Sequence, residues 1–516
     1  MSSLRKSQNS YLQTAGIAAG AAAAVLGVLA YKYPNRLVFT EDREDIPSFD
    51  ALPLVGITPR IVTNMNRVQN YFLEALERNH VLTGTGNGIG FDRSIVTCDP
   101  RNVEYVLKGN FENYVKSPQL NEIASKLFGH GIFNANGEHW KYQRKTASQI
   151  FNVKNFRDHF TAVFVEHIHY MTKNMFDVAA NNGTTLDFHD IMFRFTLDSF
   201  VKLSFGVDLN SLSTKGKIPF ANSFDTVQSI AFVRFCNPFY KVTEKIGEIL
   251  QPWKTTFNQH VKIIDDFAYD VIRQRRKEID NGEEFNDLLS RFMVGKNEYG
   301  QPLSDEELRD VVLNMVIAGR DTTAQALSWT FLSLMENPEA EEKLVAEILS
   351  NLPEDLENDP AALYEAIKNM KYAHAVFYEV LRLYPSVPNN QKYALNDDVW
   401  PDGSRIKKGD TIYWSPWAQG RSEHIWGPDA KQFKPERWFN EEGELIRETQ
   451  GKWPAFHGGP RVCLGQNLAT LEALVAITSL LRRYKFTMAP NQNVTYQASF
   501  TLPMKSGLHV YVEHRN

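Results

Sequence analysis

Hydrophobic and polar positions follow three different patterns along this chain, and each pattern predicts a different kind of element. Residues 15–31 (AGIAAGAAAAVLGVLAY) are continuously small or apolar, as in a short membrane-crossing helix. Residues 136–391 are mostly helical in pattern. Shorter strand-like runs with turns, RSIVTCD, VWPDGSRIKKGDTIYW and SFTLPMKSGLHVYVE, predict small sheets. We therefore predict a mainly α fold with small β-sheets.

The N-terminal pattern also predicts how the chain is divided. We predict a membrane anchor over residues 1–33, an irregular lead-in linker over 34–53 and one large globular domain over 54–516. A cleaved secretory signal is the alternative for the apolar run. Basic residues flank this run on both sides, so charge hardly sets its orientation.

The clearest single element begins after Leu303, where the pattern predicts a helix of about 30 residues that crosses the core. Ser304 and Glu307 form a capping box, and Asn337-Pro338 ends the helix. Within it, AGRDTT (318–323) interrupts an apolar run, which by itself indicates a local hydrogen-bonded kink. Elsewhere, GTGNGIG (84–90) predicts a turn, since nothing around it supports a dinucleotide site.

Composition excludes several functions. The formal net charge is −5 and no basic block is present, so we expect no nucleic-acid partner. The three cysteines, Cys98, Cys236 and Cys463, cannot form a disulfide framework and show no CxxC spacing for zinc. Their sparse, odd number favours a reducing compartment and argues against secretion.

Cys463 stands in an unusual loop, FHGGPRVCLGQ (456–466). A lone cysteine is most often a small buried hydrophobe. Here, however, glycines allow close backbone approach, and the following residues have helical spacing that places Cys463 at a helix N-terminus. A thiolate stabilised there, without a neighbouring histidine base, suits metal ligation better than nucleophilic catalysis. Arg461 offers a fixed cation for a nearby anion.

This loop resembles the haem-binding loop of the cytochrome P450 superfamily, the haem-thiolate monooxygenases. Phe456, Gly459, Arg461, Cys463 and Gly465 fall on the motif position by position. The resemblance implies the cytochrome P450 fold, haem b as cofactor, Cys463 as the axial thiolate ligand of its iron, and Arg461 as a partner of a haem propionate.

Two further motifs of the family concern the haem surroundings. In AGRDTT, Asp321 and Thr322 match the acid–alcohol pair, and the resemblance implies that they deliver protons into an otherwise apolar pocket. In GEHWKYQRK, Trp140 and Arg144 match the family's WxxxR, and helical spacing puts both on one face, where they can reach one propionate.

The remaining family motif concerns the scaffold. Glu379 and Arg382 in YEVLRLYP, with Arg437 in FKPERW, resemble the buried charge network that braces the haem side of the domain. Taken alone, Glu379 and Arg382 would be an ordinary solvated surface pair.

Several stretches, among them GIFNANGEHWKYQRKTAS and TLPMKSGL, resemble the fatty-acid and alkane terminal-hydroxylase branch. Two positions depart from it, and the resemblance places both near haem or substrate contacts. Lys392 stands close to where many relatives carry an arginine, and His130 stands where an acidic residue is common. The resemblance implies terminal (omega) hydroxylation of medium- or long-chain fatty acids or alkanes.

The same resemblance implies O₂ as co-substrate, NADPH–cytochrome P450 reductase as partner, and a single-pass anchor in the endoplasmic reticulum membrane with a cytosolic catalytic domain. One alternative is a haem-thiolate enzyme that rearranges or dehydrates lipid peroxides. Another is a non-catalytic haem sensor or electron carrier. The Asp321-Thr322 pair argues against both, because neither needs proton delivery.

Overall fold

The structure is a computed structural model that describes residues 2–151, 155–285, 287–352 and 359–515. It is mostly helical with small sheets, as the hydrophobic pattern predicts. The helices are α1 (Ser2–Lys32), α2 (Thr58–Asn64), α3 (Val68–Arg78), α4 (Pro100–Glu104), α5 (Pro118–Phe128), α6 (Gly137–Ser148), α7 (Thr161–Met171), α8 (Asp177–Asn182), α9 (Phe188–Phe205), α10 (Pro219–Cys236), α11 (Tyr240–Leu250), α12 (Phe257–Asp280), α13 (Leu288–Val294), α14 (Asp305–Val316), α15 (Thr322–Glu336), α16 (Pro338–Asn351), α17 (Pro360–Asn369), α18 (Lys371–Leu383), α19 (Pro416–Arg421), α20 (Glu423–Trp426) and α21 (Gln466–Arg483).

The strands are short and form three sheets. They are β1 (Thr83–Gly88), β2 (Phe91–Thr97), β3 (Tyr114–Val115), β4 (Leu186–Asp187), β5 (Asn390–Ala394), β6 (Asp398–Val399), β7 (Arg405–Ile406), β8 (Thr411–Trp414), β9 (Tyr484–Met488) and β10 (His509–His514). The largest sheet has the order β1-β2-β8-β5-β3, with β2 and β8 parallel (Ser94 opposite Thr411) and its other pairs antiparallel. The smaller sheets are β4-β10-β9 and β6-β7.

One sequence-based prediction is only partly right at the start of the large sheet, where just residues 89–90 of the predicted turn form one. Most of the glycine-rich segment predicted as a turn lies in β1, which pairs with β2 and carries a bulge between Gly86 and Gly88. The glycines are needed because neighbouring side chains lie on them. A Cβ atom on Gly84 would be 2.6 Å from the Phe49 ring, and one on Gly86 would be 2.8 Å from Ile57.

The segment before the domain also packs on this sheet. Leu37 bridges to Leu54, and Ser48 bridges to Thr85 of β1. The Phe49 side chain is buried. The predicted lead-in therefore contributes apolar contacts to the edge of the sheet.

The predicted long helix runs through the core as α14, a π-helical turn (Ile317–Asp321) and α15 without a break. We call residues 305–336 the central helix. Its N-terminus has the predicted capping box, in which the Glu307 amide donates to the Ser304 hydroxyl (3.2 Å). It packs against α9, α18 and α21, and a continuous set of buried apolar residues surrounds it.

The N-terminal helix α1 stands apart from this core. Its residues 13–32 are almost entirely exposed, and by length and composition they are sufficient to cross a membrane. The chain then enters the domain at Tyr33, which is buried and whose carbonyl accepts a hydrogen bond from the Leu54 amide (3.3 Å).

Candidate functional site

The loop that carries Cys463 requires glycine at a close contact. Gly459 has a φ of +60°, and a Cβ atom there would lie 1.9 Å from the Leu107 carbonyl oxygen. The Cys463 amide donates a 2.9 Å hydrogen bond to the Phe456 carbonyl and closes the loop. The loop is thus pressed against the chain that follows α4, and α21 begins just beyond it at Gln466.

The three cysteines have different surroundings. Cys98 and Cys236 are buried, and burial raises the pKa of each thiol to about 12. The Cys463 thiol is accessible, yet burial by the surrounding protein also raises its pKa, while the Gly465 amide and Arg144 act in the opposite direction. A side chain that is both accessible and enclosed faces an internal space. Cys463 is therefore the cysteine placed to meet a ligand there.

The central helix opens midway along its length. Ala318, Gly319 and Thr322 are partly exposed, whereas the neighbouring turns are buried. These open positions lie at the π-helical turn, where the Thr322 hydroxyl donates to the Ala318 carbonyl (2.7 Å). The Phe200 ring lies so close to Gly319 that a Cβ atom there would be 1.8 Å away. The helix thus borders an internal space at Thr322.

The cysteine loop is linked to the central helix through the helix that follows the loop. The helix that follows the loop, α21, packs against α15. Its Glu472 is buried, and burial raises the pKa of that carboxyl well above its usual range, while the nearby Thr323 side chain acts in the opposite direction. No sequence signal had pointed to Glu472.

Two arginines flank Trp140 beside the cysteine loop. The guanidinium of Arg461 lies 4.4 Å from the ring centre and that of Arg144 lies 5.9 Å away. Arg144 donates to the Val462 carbonyl (2.8 Å), and Arg461 donates to the Ala135 carbonyl (2.6 Å). Burial, together with the nearby Arg144, lowers the pKa of Arg461 to about 10. The structure thus gathers these three predicted residues around the loop.

Further basic groups join this cluster, and the sequence had indicated only Lys392 among them. Lys392 on β5 is fully buried, and its Nζ has no hydrogen-bond partner among the described residues. Burial, then the charge of Arg461, lowers the pKa of Lys116 to about 7. Burial, then Lys392, Lys116 and Arg461, lowers the pKa of His457 well below its usual range. Lys116 and His457 carried no recognisable signal in the sequence.

The chemistry of this cluster fits haem. In the described part of the chain, no carboxylate forms an ion pair with Lys116, Arg144, Lys392 or Arg461; apart from the Cys463 thiol near Arg144, the charges acting on them are cationic. Such a set of enclosed cations favours an anionic ligand. Haem b carries two propionate carboxylates for these cations and an iron for the Cys463 thiolate.

Asp321 points away from the open face, towards α10. Its carboxylate accepts from Arg320 (3.0 Å) and from Gln228 of α10 (2.7 Å). Arg320 also pairs with Asp225, a half-exposed residue of α10 (2.6 Å). Burial raises the pKa of Asp321 to about 6, although the charge of Arg320 opposes this shift. Asp321 and Thr322 are neighbours in the chain, but their side chains bind different partners.

Glu379, Arg382 and Arg437 form a buried network. Arg382 binds both oxygens of Glu379 (2.7 and 2.8 Å), and Arg437 donates to Glu379 Oε1 (2.9 Å). The indole of Trp438 donates to Glu379 Oε2 (3.0 Å), a contact that no sequence signal indicated. Arg382 also donates to the Ala430 carbonyl (2.5 Å).

His130 lies elsewhere. Its amide donates to Asp310 (2.8 Å), and its carbonyl accepts from Gln143 (2.9 Å), close to the start of the central helix. These contacts tie His130 to the start of the central helix and to α6.

Comparison with known proteins agrees with this geometry. The sequence model of the family described as Cytochrome P450 matches residues 46–509. The chain is 35% identical over 508 residues to cytochrome P450 704B1 of Arabidopsis thaliana, covering 90% of this chain and 94% of that protein. It is 37% identical over 487 residues to cytochrome P450 704C1 of Pinus taeda (90% and 92% covered). It is 35% identical over 507 residues to cytochrome P450 monooxygenase cyp1 of Mycosarcoma maydis (93% and 77% covered).

Proposed function

The chain belongs to the cytochrome P450 family, and from this premise we propose that it hydroxylates the terminal or near-terminal carbon of medium- or long-chain fatty acids or alkanes. The enzyme class is that of a reductase-dependent haem-thiolate monooxygenase. The haem, with its cysteine thiolate, supplies the activation of O₂ and the insertion of one oxygen atom into a C–H bond. The protein must bind the chain, present its end and deliver protons.

We propose Cys463 as the thiolate ligand and the neighbouring basic residues as partners of the propionates. The observation that carries this assignment is that the accessible Cys463 lies within a cluster of cations that lack carboxylate partners. The residues that we assign as partners of the propionates are Arg461, Arg144 and Lys392. Trp140 holds the two arginines in place through its ring.

Apolar side chains support a long aliphatic substrate. The Phe232 ring of α10 packs against the Phe500 ring, with 5.9 Å between the ring centres. Phe500 packs in turn against Phe128, with 6.0 Å between the centres. The segment after Phe500 is fixed to the central helix, because Gln325 binds the Thr501 hydroxyl (2.8 Å) and the Leu502 amide (2.8 Å). Each methylene buried against such walls contributes about 0.8 kcal/mol, so longer chains bind more tightly until the channel is full.

Terminal selectivity requires that only the chain end reaches the reacting oxygen, because internal C–H bonds are weaker and react more readily. A narrow apolar channel achieves this by position alone. Similarity to the fatty-acid and alkane hydroxylase branch supports this part of the proposal.

We assign proton delivery to Asp321 and Thr322. The Asp321 carboxyl, with a pKa near 6, can take up and release a proton close to neutral pH. The Thr322 hydroxyl lies at the open turn of the central helix and can hold a proton or a water there. A shift of the Asp321 side chain, or a water between the two groups, completes the path.

We further propose that NADPH–cytochrome P450 reductase supplies the electrons, that α1 anchors the protein in the endoplasmic reticulum membrane and that the catalytic domain over residues 54–516 is cytosolic. On α6, Lys141 and Lys145 are exposed while Trp140 is buried. This arrangement supports docking of an acidic partner on that side of the domain.

The spectrum of the reduced carbon monoxide complex tests the ligand assignment. We expect the strongly red-shifted Soret band of thiolate ligation in the wild type and in Cys98→Ala and Cys236→Ala. Cys463→Ala should lose the band. Loss of the band in either of the other two variants, with retention in Cys463→Ala, would contradict the assignment.

Product analysis tests the substrate and the reaction together. Saturated fatty acids of several lengths are incubated with the enzyme, reductase and NADPH. We expect steady NADPH consumption and terminal alcohols. Hydroxylation spread evenly along the chain overturns terminal selectivity. Conversion of lipid peroxides without reductase indicates an isomerase or dehydratase, and haem binding without turnover indicates a sensor or carrier.

A further inference from the structure

Gln228 of α10 binds the Asp321 carboxylate with one end of its side-chain amide and leaves the other end unpaired. Both residues are buried, and Gln228 Nε2 donates to Asp321 Oδ2 at 2.7 Å. The other end of the same amide, Gln228 Oε1, is buried without a hydrogen-bond partner. Asp321 is therefore bound by a group whose unused atom is a hydrogen-bond acceptor.

A carboxamide is suited to a partner that changes its protonation state. Its NH₂ end donates to an ionised carboxylate, and its oxygen accepts from a protonated carboxylic acid. Turning the amide over exchanges the two ends with little movement of other atoms. At Gln228 this exchange replaces one hydrogen bond to Asp321 by another and again leaves one end of the amide unpaired. A buried aspartate that gains and loses a proton would otherwise break a hydrogen bond at each cycle, which is costly in the interior.

The other charged groups near Asp321 cannot do this. Arg320 donates in all its states, and it is bound to Asp225 as well as to Asp321. His189 of α9 lies near Asp225 and Arg320, whose charges act on its ring. Burial lowers the pKa of His189 to about 4, and its ring forms a hydrogen bond with the Ser328 hydroxyl (2.9 Å). Among the described contacts of the Asp321 carboxylate, Gln228 alone can both donate and accept.

We propose that Gln228 is a positioning residue that stays hydrogen bonded to Asp321 in both protonation states by turning its amide over. When Asp321 is ionised, Nε2 donates to Oδ2. When a proton has arrived on Oδ2, the new O–H donates to Gln228 Oε1. When that proton leaves towards Thr322, the amide turns back. This inference rests on the proposed role of Asp321 in proton delivery.

Infrared difference spectra of the wild-type holoenzyme, recorded over a pH series, test the proposal directly. The C=O band of protonated Asp321 is assigned by its absence in Asp321→Asn. Side-chain amide bands are identified by ¹³C-labelled glutamine, and the Gln228 band by its absence in Gln228→Met. We expect the Gln228 band to shift at the same midpoint as the Asp321 band. Titration of Asp321 without any shift of the Gln228 amide overturns the proposal.

The Gln228→Met variant supplies a second test, since methionine has a similar length and neither donates nor accepts strongly. Loss of the donor disfavours the ionised carboxylate, so the Asp321 midpoint should rise by about one pH unit. The control is Ser223→Ala on the same helix, which removes a partly buried hydrogen bond to His260 (3.0 Å) that does not involve Asp321. An equal shift in the control, or none in Gln228→Met, contradicts the proposal.

These spectra need no substrate, so they separate this inference from the proposed function. If the two bands shift together but no fatty acid or alkane is oxidised, the substrate assignment fails and the role of Gln228 stands. If fatty acids are hydroxylated and the Gln228 band is insensitive to pH, the proposed function stands and this inference fails.

Discussion

Two buried groups of charges, one around Glu379 and one around the cysteine loop, differ in whether the protein supplies partners of opposite charge. Around Glu379, both carboxylate oxygens are bound, by Arg382, Arg437 and Trp438. Around the cysteine loop, the Lys392 amine has no hydrogen-bond partner among the described residues; it lies over the Phe111 ring (5.3 Å to the ring centre), and Lys116 acts on it as a further cation. The first group is complete in the protein alone, whereas the second is complete only with an anion.

The comparison separates a scaffold from a binding site. Buried polar groups are nearly always hydrogen bonded, so a buried cation without a partner requires an explanation. The network at Glu379 braces α18 against the segment that holds Arg437 before any cofactor binds. The cations near Arg461 are brought together by the fold at an energetic cost, and haem propionates would offset that cost.

The largest effect is expected from breaking the complete group. Glu379→Ala leaves Arg382 as a buried cation without a carboxylate and leaves Arg437 with Asp429 alone (3.2 Å), which costs about 3–5 kcal/mol of unfolding free energy. We expect protein that retains little haem, measured by denaturant unfolding and haem content.

Glu444→Ala is the matched control, because Glu444 pairs with Lys371 at the surface (2.8 Å) and its loss costs about 1 kcal/mol or less. A Glu379→Ala protein with full haem content and normal stability but no turnover would place Glu379 in the chemistry instead.

Removing a charge from the group around the cysteine loop should have a smaller effect of opposite sign, an increase in the unfolding free energy of the haem-free protein. Lys392→Met removes a buried amine that lacks a hydrogen-bond partner, so the haem-free protein should gain about 1 kcal/mol or more of unfolding free energy. Haem should leave this variant faster, measured by transfer to an excess of a haem-scavenging protein. The control is Lys408→Met, at an exposed position near the same sheet, where neither quantity should change. A destabilised haem-free Lys392→Met protein would show that Lys392 has a structural role.

The pH dependence of the haem-free protein sharpens the same distinction. Burial lowers the pKa of Lys116 to about 7, whereas a lysine in the unfolded chain has a pKa of about 10.4. Between these values the unfolded chain binds more protons than the folded one, so stability rises with pH in this window. We expect this rise in the wild type relative to Lys116→Met, measured by urea unfolding from pH 7 to about 10.

In the haem-bound proteins, the rise in stability of the wild type relative to Lys116→Met should be smaller, because a propionate favours the charged lysine. A constant difference between the two haem-free proteins over this pH range would contradict the predicted shift.

The smallest effect on stability is expected where charges face solvent. Lys141 pairs with exposed Glu138 (2.7 Å), and Lys145 is exposed. Reversing both charges should change the unfolding free energy by about 0.5 kcal/mol or less. Reductase-driven turnover should fall, and more at low than at high ionic strength. Turnover that is unchanged at every salt concentration would remove this face from the proposed docking surface.

Local patterns in the sequence predicted the elements that depend on neighbouring residues. The capping box at Ser304, the length of the central helix and the apolar run of α1 each follow from contacts a few residues apart. The loop around Cys463 was recognisable for the same reason, since its glycines and its cysteine are contiguous. The resemblance to the cytochrome P450 superfamily rested on such contiguous motifs, and the family match confirms it.

What only the tertiary structure decided concerns residues far apart in the chain. Lys116, Lys392 and His457 meet because segments from three regions of the chain converge, and the sequence had indicated only Lys392. The bond from Gln228 to Asp321 spans 93 residues. The strand β1 pairs with β2 and its glycines leave room for Phe49 and Ile57, whereas the local sequence favours a turn. Local propensity is set by near neighbours, but burial and charge pairing depend on which distant side chains the fold brings into contact.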